Sequence, residues 1–215
     1  MKADLALLVQ INKLKAQTLS LGFFDLTNLD FFHIILEKIE LRRKSMTILS
    51  IDASTKSSGW AVYQDKTLKD YGCITSSSTD LFKRIHKMVD EIDILISNNS
   101  IDKLILEEVR PDDIGGRSNL NTHRALMWLQ GAIAMMVHDK HPKVTIDYLY
   151  PSEWRKCCKI KTGRGVVRET VKQRDIRFVQ ETFGINVNDD IADAIGLGYA
   201  YFHPGGQEEI IEWGE

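Results

Sequence analysis

Apolar residues recur at helical spacing through the first stretch of the chain: Leu5, Leu8, Val9 and Leu14, then, beyond a turn near Gly22, Phe31, Phe32, Ile35, Leu36 and Ile39. Steps of three and four put each set on one helix face, so residues 1–45 read as a helical N-terminal extension. Arg42, Arg43 and Lys44 give the second stripe the cationic last turn that suits a helix C-terminus. Two readings of this segment stand: an appendage packed on the main domain, or residues from an upstream start codon ahead of a natural start at Met46.

From Met46 the period changes. Residues 47–51 are β-branched and apolar, 57–59 carry turn chemistry, 60–63 resume an extended run, and 67–75 supply a third strand after a turn at Asp65 and Lys66. Residues 76–79 offer caps for a helix over about 80–97 with the stripe Leu81, Ile85, Met88, Val89, Ile92 and Leu95. Residues 103–109 form a short apolar run ending in acids, as in a buried strand. A loop over 111–116 leads to a helix over 118–138, a strand over 144–150, a short helix capped by Ser152, a basic glycine loop over 161–165, and helices over 166–183 and 189–202. Three strands, then helix, strand, helix, strand and helices imply an α/β architecture, a mixed five-stranded sheet flanked by helices. An acidic tail over 205–215 follows a main domain at 46–204.

Composition narrows the classes. The longest apolar runs fall far short of the roughly 20 residues of a membrane helix, so no membrane association is expected. Three cysteines, two of them adjacent (Cys157 and Cys158), make no disulfide framework and point to a reducing cytoplasm. Cys157 and Cys158 have no second pair and the histidines no ligand spacing, so zinc is not expected. The net charge of −2 excludes a uniformly basic nucleic-acid coat, but residues 155–177 hold nine basic side chains against Glu169 and Asp175. Positive charge so segregated should face phosphates.

Acids close several elements. Asp52 ends the first strand, Glu107 the fourth, and Asp190 and Asp193 open the last helix three residues apart, on one face. Convergence of these four at one sheet edge would repel itself without cations. Hard oxygen donors favour Mg2+, with Mn2+ able to substitute, and two such ions suit phosphodiester hydrolysis. Glu108, one residue out of phase on its strand, is read as structural.

The segment Ile51-Asp52-Ala53-Ser54-Thr55 through Ser58-Gly59-Trp60-Ala61-Val62 resembles the opening hairpin of RuvC-type Holliday junction resolvases, particularly their phage branch. Ile105-Leu106-Glu107-Glu108-Val109 resembles that family's second acidic strand, and Asp190-Ile191-Ala192-Asp193-Ala194 its terminal acidic helix. The likeness covers about residues 46–204. It implies an RNase H-like fold and a metal-dependent, structure-selective endonuclease acting on four-way junctions or other branched DNA such as flaps and three-way junctions, as a homodimer. Carried over by position, Asp52 would bridge two metals, Glu107 would complete one site, and Asp190 with Asp193 would supply the other. Pro151, Trp154, Arg155, Gly163, Gly165 and Arg168 resemble the stretch before the family's penultimate helix, where Arg168 takes the place of a frequent lysine. An arginine keeps the charge without shedding its proton, so the resemblance gives Arg168 an electrostatic role in catalysis. Arg110 stands where cellular resolvases carry a junction-stacking aromatic.

Arg110, Arg117, Asn119, Arg124, Arg155, Lys161, Arg164, Arg168 and Lys172 are the expected DNA contacts, directed at backbone and shape rather than base edges. Trp128, off the apolar stripe of its helix, is the candidate for subunit contact. Two readings stand beside the nuclease: a non-catalytic branched-DNA binder with the same shell, and an ATP-binding member of the wider fold. The second would need another phosphate-binding hairpin and a longer chain.

Overall fold

Six residues of alternating orientation begin the sheet. In β1 (Thr47–Asp52), Leu49 and Ile51 face one side and Ile48 and Ser50 the other, and all four are fully or almost fully buried. A strand covered on both faces reads as a continuous apolar run, which is why residues 47–51 show so little polar alternation. The computed structural model describes residues 45–109, 120–163 and 165–204. The extension expected over 1–45, apart from Ser45, and the tail expected over 205–215 lie outside the described residues.

β1 is followed by β2 (Ser57–Gln64), β3 (Thr67–Thr75), α1 (Leu81–Asn99), β4 (Lys103–Glu107), α2 (Leu120–Lys140), β5 (Thr145–Leu149), α3 (Pro151–Cys157), α4 (Arg168–Phe183) and α5 (Asp189–Phe202). The sheet order is β3-β2-β1-β4-β5, with an antiparallel meander over β1 to β3 and with β4 and β5 parallel to β1. On one face α1 and α2 bury Ile85, Met88, Ile92, Leu129 and Ile133 against Leu49, Ile51, Leu104 and Leu106. On the other, α3, α4 and α5 bring Trp154, Val179, Ala192 and Ile195 against Ile48, Ala61, Tyr63 and Ile105. The expected mixed five-stranded sheet flanked by helices is the fold observed. Among the described residues no helix is long and apolar enough to cross a membrane.

Residues 57–59, expected as a turn, belong to β2. The ladder runs on to Asp52 opposite Gly59 and Ser57 opposite Thr75, and the reversal is made by residues 53–56. The fully buried Ser58 closes that loop from within the strand: its Oγ donates to the Ser54 carbonyl at 2.5 Å and accepts from the Ser54 amide at 2.9 Å. Two further starts differ from expectation. Asp80, rather than residues 76–79, caps α1, its carboxylate accepting from the Lys83 amide at 3.0 Å. α3 begins at Pro151, with the Tyr150 amide donating to Glu153 instead of a cap at Ser152.

α5 lies almost flush on β1 and β2. Ser50 Oγ donates to the Ala194 carbonyl at 2.8 Å, and a Cβ at Gly198 would stand 2.5 Å from the Tyr63 ring and 2.6 Å from Ser50 Oγ. Only a glycine admits this approach, and the approach brings the first turn of α5 to the end of β1.

Candidate active site

Strand register and parity place the first two acids. The parallel pairing of β1 with β4 sets Ile51 beside Leu106, so Asp52 and Glu107 follow at the same end of the sheet. Both fall one step out of phase with Ile51 and Leu106, on the face covered by α3 to α5. The third element meets them there. Asn188 caps α5, its Oδ1 accepting from the Ile191 amide at 3.0 Å, which leaves Asp190 and Asp193 in the first helical turns.

The acids feel one another. Burial first, then the charges of Glu107, Asp193 and Asp190, push the Asp52 carboxyl well above the ordinary aspartate range, and Arg155 works against them. Burial likewise raises Asp193. Glu108 stands apart from this group; with burial the larger cause, it raises the Tyr148 hydroxyl.

Three of the four acids are turned onto protein partners. The indole Nε1 of Trp154, itself fully buried, donates to Glu107 Oε2 at 2.7 Å, while Gln130 Nε2 holds the Glu107 carbonyl at 2.7 Å. Ser57 Oγ donates to Asp190 Oδ2. Asp193 Oδ2 lies 3.2 Å from an Arg155 terminal nitrogen, and the Arg155 Nε donates to both oxygens of Asp175 at 3.1 and 3.4 Å. Sequence reasoning set Arg155 among surface DNA contacts; the structure puts it inside the acid group, its side chain 15% exposed.

Asp175 was missed as a site residue. It is fully buried and its carboxyl is pushed up to about 8, by burial first and then by Asp193. The signal was present: Val171, Asp175, Val179 and Phe183 recur every four residues, so an aspartate occupies an apolar stripe. A buried carboxylate at such a place needs a partner, which is Arg155. Ser57 and Trp154 gave no comparable signal, because their polar atoms find Asp190 and Glu107 only across elements.

The remaining expected contacts separate. Arg124, Lys161 and Arg168 are exposed, on α2, on the loop before α4 and at the start of α4. Lys172 is ion-paired with Asp189, beside the acid group. Arg110, Arg117, Asn119 and Arg164 lie outside the described residues.

No family model matches the sequence, and no curated protein sequence is similar to it. Solved structures are. Thermus thermophilus RuvC in complex with a Holliday junction substrate superposes with a TM-score of 0.56 over 73% of this chain and 94% of that chain, at 13% identity. The yeast mitochondrial Holliday junction resolvase Ydc2 gives 0.50 over 74% and 79%, at 12% identity. The fold is RNase H-like, as in RuvC. In this RNase H-like frame, the acids of β1, β4 and α5 gather at one end of the sheet.

The donor chemistry of that end fits hard divalent cations. All four side chains offer carboxylate oxygens, and Asp193 Oδ1 is buried without a hydrogen-bond donor. Two things relieve such an oxygen, a proton shared with Asp175 or a cation. In the arrangement observed, no three acids, histidines or cysteines among the described residues are drawn together into a ready cage. The carboxylates of Glu107, Asp190 and Asp193 must therefore draw closer to one another to close on an ion.

Asp52, Asp175 and Asp193 all have folded-state values above their ordinary ones. The stability they contribute is complete below the ordinary aspartate value and is lost as pH rises through the raised ones, which for Asp175 means about 8. Asp93, held down by hydrogen bonds from Lys140 and His141, and Asp189, held down by Lys172, act oppositely and lose their contribution in acid. The melting temperature of the metal-free protein in EDTA is therefore expected to fall between about pH 5 and about pH 9, and Mg2+ should flatten the slope by favouring the ionised carboxylates. A metal-free melting temperature that climbs across this interval contradicts the assignment.

Proposed function

We propose that this chain is a divalent-metal-dependent endonuclease that resolves Holliday junctions or related branched DNA, of the phage branch of RuvC-type resolvases. The observation that carries the reading is the convergence of Asp52, Glu107, Asp190 and Asp193 from three distant elements on one end of an RNase H-like sheet, close enough to raise Asp52 by their charge. Asp52, Glu107 and Asp193, with Asp190, would hold Mg2+ or Mn2+, whose charge would acidify a water and stabilise the departing oxygen of a phosphodiester. Trp154 orients Glu107, Ser57 orients Asp190, and the exposed Arg168, Lys161 and Arg124 grip backbone phosphates without reading bases. Arg168 acts on phosphate charge alone. Three free thiols suit work in the cytoplasm.

The test is incubation of the protein with labelled four-way junction, three-way junction, flap and linear duplex, in Mg2+, Mn2+ and EDTA. Paired cuts near the branch point of the four-way junction, absent in EDTA and on the duplex, are expected. Cutting that persists in EDTA refutes the metal reading, and tight junction binding without cleavage in either metal identifies a non-catalytic branched-DNA binder.

Symmetric cutting calls for two active sites, and α2 offers a surface for pairing. Trp128 is 45% exposed and stacks on Phe82 of α1 with ring centroids 5.6 Å apart, beside the exposed Met127 and Met135. Large apolar side chains exposed together on neighbouring helices suit a subunit contact. Light scattering should give twice the chain mass for the wild type and the single-chain mass for Trp128→Glu. Equal masses for the two proteins would remove this face from consideration.

A further inference from the structure

Arg155 is held in a particular way. Its guanidinium spans two helices, pairing with the fully buried Asp175 of α4 through Nε and a terminal nitrogen and reaching Asp193 of α5 at 3.2 Å through that terminal nitrogen. Its face rests on the Trp154 ring, 4.2 Å from the centroid, and the same indole donates to Glu107. Two consecutive residues of α3 thus hold two of the four acids.

We infer that Arg155 is the resident counter-ion of the acid group, holding Asp193 until a divalent cation takes that carboxylate and then withdrawing onto Asp175. This rests on the reading that these carboxylates bind divalent ions. A guanidinium cannot discharge itself, so it and an incoming cation cannot both stay against Asp193 without strong repulsion at low local dielectric. The geometry supplies the retreat: Nε is already on Asp175, and only the contact from the terminal nitrogen to Asp193 has to break. The incoming ion gains Asp193 Oδ1, which is buried and has no partner beyond a proton shared with Asp175. Arg155 therefore keeps the metal-free group together and at the same time weakens its affinity for metal. It is a positioning residue in this role.

A purely structural part and a competing part predict opposite signs. Losing a structural brace would loosen the acids and weaken metal binding, whereas losing a competing cation strengthens it. Calorimetric titration of Mn2+ into the full chain at fixed pH distinguishes them. Arg155→Met is expected to bind Mn2+ at least about tenfold more tightly than wild type, from removal of one adjacent positive charge. Asp175→Asn should bind more weakly, because the amide offers the displaced guanidinium one acceptor oxygen where Asp175 offers two. Arg155→Lys, which cannot fork across both carboxylates, should fall between wild type and Arg155→Met, and it decides the matter if circular dichroism shows Arg155→Met unfolded. Wild-type binding with unchanged or weaker affinity in the Arg155 variants overturns the inference and leaves the proposed function standing. A wild type that binds no Mn2+ overturns the metal reading itself, and the inference with it.

Discussion

Asp52→Asn is expected to abolish Mg2+-dependent cleavage of a four-way junction, by roughly 10³-fold or more, since a ligand central to the metals supplies several kcal/mol of transition-state stabilisation. The position justifies that size. The charges of Glu107, Asp193 and Asp190 all raise the Asp52 carboxyl, so it stands amid the negative charge of the group. An amide keeps the shape, has one oxygen in place of two, and carries no charge to offer a cation. Stability should move the other way. Because burial and three like charges oppose ionisation of Asp52, the neutral amide relieves the metal-free protein, and its melting temperature in EDTA should equal or exceed that of wild type. The pair of measurements matters more than either alone. Lost cleavage with a lowered melting temperature would mean that Asp52 serves the fold, and cleavage within a few-fold of wild type would remove it from the site.

Gly59→Ala carries the second large effect, acting through backbone. Gly59 pairs with Asp52 on one side and Cys73 on the other, directly beneath the first turn of α5. A Cβ there would stand 1.8 Å from the Asp190 carbonyl oxygen and 2.9 Å from the Ile191 amide nitrogen. Neither atom belongs to a side chain that can swing away, so the helix itself must move. Such overpacking costs about 1–3 kcal/mol, and here the upper end or more is expected. The displaced turn carries Asp190 away from Ser57, and cleavage should fall together with melting temperature. Gly131→Ala is the control. It sits on an exposed part of α2 with nothing within 4 Å of an added Cβ, so it should gain up to about 1 kcal/mol from helix propensity alone. Equal melting temperatures for the two alanine variants would show that α5 does not need this close approach.

What the sequence determined by itself was everything carried by local pattern. Buried strands declare themselves as short apolar runs, so β1 and β4 were legible, and each could be seen to end in an acid. The spacing of Asp190 and Asp193 is likewise a property of one helix. Tertiary structure alone decided which polar atoms meet. Ser57–Gly59 looked like a turn because serine and glycine usually make one; in the fold Ser58 turns inward to close residues 53–56, and Gly59 must be bare because α5 lies on it. Arg155 looked like one more cation in a basic stretch, and only the packing of α3 and α4 against α5 sets it between Asp175 and Asp193. Periodicity reports which face of an element is buried, because the backbone repeats. It carries no distance between elements, and the electrostatics of this site depend on those distances.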